Sequence, residues 1–193
     1  SAIIVTYQTG SALKACLFCL LGEVGIDEII LVDNGNPSEM SAWLQALSAQ
    51  EPRVQYVEGH GNIGFGAGVN LGAGHATGSE ILVINPDALL RRGSLQQLRE
   101  AIPEDQPHWI VGGRIFNSDG IEERGCRRLS LNWRRVLGLS EWTLERSTPP
   151  AQPVPMAAIS GAFFLISRAG FDALSGFDEG YFLHFEDLDL CER

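Results

Sequence analysis

A repeat of short apolar runs, each ending on a polar residue, constrains this chain more than any other feature. AIIVTY (2–7), EIILVDN (28–34), RVQYVE (53–58) and EILVIN (80–85) share that form. The first, second and fourth are apolar through their interiors, as strands covered on both faces are. Helical spacing fills the gaps, in SALKACLFCLLGEV (11–24) and PSEMSAWLQALSAQ (37–50), with Pro37 and Ser38 as start signals. A glycine-rich turn runs into a small-residue helix over 59–78, GSLQQLREAI (93–102) reads as a helix, and HWIVGGRIF (108–116) reads as a fifth strand. This rhythm predicts an α/β fold, a mainly parallel central sheet with helices on both faces. Ligands of such sheets bind beyond the carboxyl ends of the strands. Tyr7, Asp33, Asn34, Asn62, Asn85 and Asp87 all fall at or just after those ends.

The second half reads differently. Residues 116–156 carry Arg124, Arg127, Arg128, Arg134 and Arg135, with Trp133 among them, then Trp142 and a proline-rich loop, with no clean period. From 159 onward order returns: a strand over 162–167, a short helix, a Gly-Phe-Asp turn, and a new helix opening near Phe185. The expected organisation is one domain over 1–193, with 1–115 holding a nucleotide and 116–193 serving an acceptor and the chemistry. The last residues read as a helix cut off in mid-course, so the chain is expected to continue beyond Arg193.

Composition narrows the function classes. With 193 residues, 45% hydrophobic and 20% charged, the chain can bury a sizeable core. A net charge of −10 argues against broad nucleic-acid binding, although a cation or local amides can still hold a phosphate on an acidic protein. Cys16 and Cys19 form a C-x-x-C inside an apolar helical pattern. No second ligand pair stands at zinc spacing, so they read as core cysteines in a reducing compartment. No apolar run reaches the ~18 residues that would span a bilayer.

Several motifs admit two readings. Gly59-His60-Gly61-Asn62-Ile63-Gly64 satisfies G-x-G-x-x-G between a strand and a helix, the context of a dinucleotide turn. It lies in the third βα unit rather than the first, and helix packing explains Gly66, Gly68 and Gly72 but not Asn62 and Asn70. Asp33-Asn34-Gly35 is good turn chemistry, and it is also a carboxylate ending a buried strand, able to accept an N–H from a base on which Tyr7 stacks. Asp87 suits a helix N-cap; it equally suits Mg²⁺ or Mn²⁺, which take one or two carboxylates and fill the rest with phosphate oxygens and water. Glu186 and Asp187 suit a helix start, where the dipole favours the ionised form; an ionised carboxylate can act as general base. Arg124, Arg127 and Arg128 read as a solvated loop, with anion binding as the alternative. His184 reads as a site-edge residue, and His60 and His75 suggest nothing specific.

Four ordered segments carry a resemblance: AIIVTYQTG, EIILVDNG, GNIGFGAGVNLGAGHATGSEILVINPDALL and SGAFFLISRAGFDALSGFDEGYFLHFEDLDLCER. Together they resemble the family 2 inverting glycosyltransferases, in the rhamnosyltransferase-like branch of bacterial cell-surface polysaccharide assembly. The resemblance implies a GT-A fold with a nucleotide-diphospho-sugar along the strand tips. It implies that Thr6 and Tyr7 line the base and ribose, that Asp33 and Asn34 hold the base, and that Asn62, Gly64, Gly68 and Asn70 line the sugar-nucleotide pocket. Asn85-Pro86-Asp87 stands at the family's Asp-x-Asp, so Asp87 would contact Mg²⁺ or Mn²⁺ on the diphosphate, with Asn85 beside it. Asp187 would be the base, with Glu186 adjacent. The implied donor is a dTDP- or UDP-linked sugar, rhamnose among them. The implied acceptor is a saccharide or polyprenyl-linked glycan, which would bring a cytoplasmic protein to the inner membrane face. Three departures stand out: Asn85 replaces the first acid, Gln8 replaces the usual Asn, and the family's later His-bearing segment is missing. Two other readings stay open, a dinucleotide- or nucleotide-binding enzyme using the glycine loop and a non-catalytic sugar-nucleotide-binding domain.

Overall fold

The computed structural model describes residues 1–130, 137, 141, 143, 144 and 147–193. Trp133, Arg135 and Trp142 lie outside the described residues. The apolar runs become β1 Ala2–Thr6, β2 Ile29–Asp33, β3 Val54–Val57 and β4 Glu80–Ile84. Between and after them stand α1 Ser11–Gly22, α2 Ser38–Gln50, α3 Phe65–His75 and α4 Ser94–Glu100. The rest of the chain supplies β5 Ile110–Gly112, β6 Arg127–Arg128, β7 Ala158–Ile159, β8 Phe163–Ser167, α5 Arg168–Ala173 and α6 Glu186–Glu192.

The main sheet runs β3-β2-β1-β4-β8-β5. Its first four strands are parallel, with Val5 opposite Val32 and Thr6 opposite Asp33. β8 enters antiparallel between β4 and β5, so β5 is the outer strand and does not touch β4. Alternate residues feed two cores, as the strand period of two requires. Ile4, Leu31 and Ile84 pack with Leu13, Leu17 and Leu44 from α1 and α2. Ile3, Val32 and Val83 pack with Val69 and Ala73 of α3 and Phe171 of α5. Both faces are therefore covered, as the apolar runs required.

Small residues let α3 lie close on the sheet. A Cβ at Gly72 would come within 2.6 Å of Ile3, and one at Gly68 within 2.8 Å of Val5. Gly68 and Gly72 therefore set the approach of helix to sheet together, and Gly68 packs on Val5 and is not among the cleft-lining residues. The fifth strand is shorter than its apolar run, and Gly113 just beyond it lets the Phe163 ring pass, since a Cβ there would sit 2.2 Å from that ring.

The strand order reverses between β1 and β4: β2 and β3 lie to one side, β8 and β5 to the other. A crevice opens beyond the strand tips at such a reversal. Among the described residues, no helix is long and apolar enough to cross a membrane.

Candidate active site

A cleft of about 460 Å³ occupies that crevice. Its walls come from the loop after β1 (Tyr7, Gln8, Thr9), from Asn34 after β2, from Asn62 and Gly64 ahead of α3, and from Asn85, Pro86 and Asp87 after β4. Phe182 and Leu183 close one side. Tyr7 is 54% exposed at the rim of the cleft.

Asp87 is an exposed carboxylate in a turn, and no helix begins there. The following helix, α4, starts seven residues later behind Gly93 and has no side-chain cap. Asp87 is therefore not a helix cap. Turn residues 85–88 are closed by the Ala88 amide on the Asn85 carbonyl at 3.1 Å. No described residue donates to the Asp87 carboxylate. Among the described residues no group of three His, Cys, Asp or Glu could cage a metal ion. One free carboxylate at the tip of a buried strand fits instead a divalent cation that takes its other oxygens from phosphate and water.

Asp33 lies beneath the cleft floor rather than in its wall. Its Oδ1 accepts from the amides of Gly35 and Asn36, both at 2.8 Å, and from Asn36 Nδ2 at 2.9 Å; its Oδ2 accepts from Ser41 and Tyr56 hydroxyls. Burial pushes this carboxyl up, but the donors, Tyr56 first among them, outweigh burial and hold it below the ordinary range. Thr6 is also beneath the floor, fully buried, donating to the Val32 carbonyl and accepting from Asn36 Nδ2. Asn36, unremarked in the sequence, ties the two loops together by accepting from the Thr9 amide at 2.8 Å. Thr6 and Asp33 thus shape the cleft floor through Asn36.

Asn34 Nδ2 donates to the Gly64 carbonyl at 2.8 Å, while its oxygen faces His60 Nε2 at 3.0 Å. Since the Asn34 nitrogen is already the donor, His60 carries its proton on Nε2 in this arrangement. Gly64 has φ +89, and a Cβ there would lie 2.3 Å from the Phe182 carbonyl, so only glycine lets the strap at 182 pass. Asn62 accepts from the Gly64 amide at 3.1 Å. Asn70 faces away from the cleft: it donates to the Phe177 carbonyl and accepts from the Phe177 amide, fixing the Gly-Phe-Asp turn. The glycine loop follows β3, the edge strand, and not a strand at the reversal point where a dinucleotide turn belongs.

A second hollow of about 190 Å³ adjoins, lined by Arg128, His184, Phe185, Glu186, Asp187 and Leu188. The segment 182–185 borders both hollows. His184 and Phe185 take left-handed backbone, at φ 70 and 71, to turn the chain into α6. Asp187 Oδ2 accepts from Arg128 Nη1 and from the Gly161 amide, each at 2.9 Å. Glu186 is 6% exposed, and among the described residues its Oε2 has no partner. Burial pushes the Glu186 carboxyl above its ordinary range, and the Asp187 charge adds to that.

Two consecutive residues join the hollows. Gly161 donates to Asp187, and the Ala162 carbonyl accepts from the Asn85 amide at 2.9 Å. A Cβ at Gly161 would lie 3.1 Å from Asp187 Cβ and 3.6 Å from the ring of Phe65, itself a cleft wall. Asp187 therefore stands one residue's width from the cleft that holds Asp87. The solvated-loop reading fails for two of the three arginines: Arg127 is buried and Arg128 meets Asp187, whereas Arg124 is exposed. Cys16 is buried against the Asn85 carbonyl, with burial pushing its thiol up to about 12.

The family model for glycosyl transferase family 2 matches residues 1–174. This chain belongs to glycosyl transferase family 2. Relatives include the low-salt glycan biosynthesis hexosyltransferase Agl10 of Haloferax volcanii, 26% identical over 100% of this chain and 60% of the relative. The N-acetylglucosaminyl-diphospho-decaprenol L-rhamnosyltransferase of Mycobacterium tuberculosis is 30% identical over 99% of this chain and 68% of the relative. The chain thus spans about two thirds of the length of these relatives. Among solved structures, GalNAc-T7 with UDP, GalNAc and Mn²⁺ matches with a TM-score of 0.71 at 17% identity, over 98% of this chain and 38% of that one. The mannosyltransferase PcManGT of Pyrobaculum calidifontis, in complex with GDP-Man and Mn²⁺, matches with a TM-score of 0.64 at 16% identity, over 98% of this chain and 49% of that one. The fold of this family 2 chain is the GT-A fold of such transferases.

Proposed function

We propose that this protein is an inverting glycosyltransferase that moves a sugar from a nucleotide-diphospho-sugar to a saccharide or lipid-linked acceptor in cell-surface glycan assembly. The observation that carries the reading is the Gly161-Ala162 junction, which bonds Asp187 on one side and the Asn85 strand tip on the other. An in-line displacement needs a base on one side of the sugar and a leaving diphosphate on the other, and the two carboxylates meet that need across one junction. Family membership and the names of the relatives favour a hexose or deoxyhexose, with rhamnose on a dTDP or UDP carrier as the first candidate.

In this reading the nucleoside lies over the floor built by Thr6, Asp33, Asn34 and Asn36, with its base against Tyr7. Asn62 and Gly64 flank the sugar-nucleotide. Asp187 takes the proton of an acceptor hydroxyl. That oxygen's electron pair forms the new bond to the anomeric carbon, the bond from that carbon to the diphosphate breaks, and its pair leaves on the phosphate oxygen. The configuration inverts. A divalent cation, Mg²⁺ or Mn²⁺, would be held by Asp87 with the donor phosphates and would offset the charge on the departing diphosphate. Glu186, buried beside the base, would meet a sugar hydroxyl through its unpartnered oxygen.

The test is Asp187→Asn in the full-length protein, assayed against a panel of dTDP- and UDP-sugars. Transfer is expected to fall at least ~100-fold, as loss of a general base does, with donor affinity within about twofold of wild type. Loss of donor binding with unchanged turnover would reassign Asp187 to the donor site.

A further inference from the structure

β6 and β7 form a two-stranded ribbon in which Arg127 is opposite Ile159 and Arg128 opposite Ala158. Neighbouring side chains of a strand point to opposite faces, and the two arginines diverge. Arg127 grips Glu122 with two bonds, at 2.7 and 3.1 Å, and donates to the carbonyls of Leu144 and Ser147. It anchors the ribbon. Arg128 turns to the other face and meets Asp187. The partner strand β7 leads directly to Gly161, so a single ribbon delivers both donors to Asp187 Oδ2. The other oxygen, Oδ1, accepts from the Leu188 amide at 2.9 Å. A carboxylate offers about four lone-pair positions; among the described residues Oδ2 has two donors and Oδ1 has one.

We propose that Arg128 is the positioning residue for the base: with Gly161 it pins Oδ2 of Asp187 and leaves Oδ1 as the atom that receives the acceptor proton. This rests on the reading of Asp187 as that base. The pair is sheltered, with Arg128 and Asp187 side chains 15% and 13% exposed, so salt screens it less than a surface pair. The planar guanidinium presents its Nη1 donor to Oδ2 in a fixed direction, which a rotating ammonium does not. Among the described residues, Glu186, His184 and Cys191 are titratable groups near Asp187, all from its own segment. Arg128 is a cation contributed from outside that segment.

The test is the steady-state kinetics of sugar transfer by the full-length protein. Arg128→Gln should lower kcat at least ~10-fold with the donor KM within about twofold, and Arg128→Lys should recover part of the loss, a pattern a merely structural residue would not give. If Arg128→Gln fails to fold, Arg128→Lys carries the comparison alone. Unchanged kcat in both variants overturns the proposal while leaving the base assignment intact. Transfer retained in Asp187→Asn would instead overturn the reading beneath it.

Discussion

Asp33 is the residue on which the floor of the cleft depends most. Its carboxylate accepts from Gly35, Asn36, Ser41 and Tyr56. Its folded value lies below the ordinary one, so its contribution to stability is present above the unfolded value, near ~3.9. That contribution is lost as pH falls toward the lower folded value. Asp33→Asn should therefore cost roughly 2–3 kcal/mol at pH 7, and the gap to wild type should shrink between pH 5 and pH 3. Urea denaturation across that range reads both effects. A constant gap would place the loss in packing and not in charge. The sequence made Asp33 legible as a carboxylate ending a buried strand. It did not make its saturation legible, because Ser41 and Tyr56 approach from α2 and β3. Asn70 was illegible in the same way: only the fold sends it to the Phe177 turn and away from the cleft.

The elements divide by how much of each is carried by periodicity. β1, β2 and β4 were legible because strands buried on both faces need unbroken apolar runs, and α1 and α2 because their apolar stripes repeat. The β6–β7 ribbon was not, since two-residue strands leave no period to read. The place of β8 was hidden too: its apolar run is plain, but nothing local says that it pairs antiparallel between β4 and β5. Arg127 and Arg128 are adjacent and identical in type, and only the strand alternation separates an anchor from a site residue. The anchor is testable. Arg127 and Glu122 side chains are 8% and 6% exposed, and Glu122→Ala strands a buried guanidinium at a cost of about 3–5 kcal/mol. Chemical denaturation should show that loss, accompanied by weaker transfer as the ribbon releases Arg128. A change under ~0.5 kcal/mol, the size of a surface substitution, would show that the pair does not hold the ribbon.

At the scale of the whole molecule, the strand reversal between β1 and β4 explains why residues far apart in sequence share one site. It brings Tyr7, Asn34 and Asp87 to one cleft and puts Asp187 against its wall through Gly161 and Ala162. The central claim is that this rim holds a nucleoside diphosphate through a cation on Asp87. Calorimetry of UDP and dTDP, with and without MnCl₂, on wild type and Asp87→Asn tests it most directly. The account predicts that one of the two nucleotides binds at least ~10-fold more tightly with Mn²⁺, a gain of about 1.4 kcal/mol, and that Asp87→Asn abolishes the gain. Binding indifferent to both Mn²⁺ and Asp87, or a preference for NAD⁺ over either nucleotide, would contradict it.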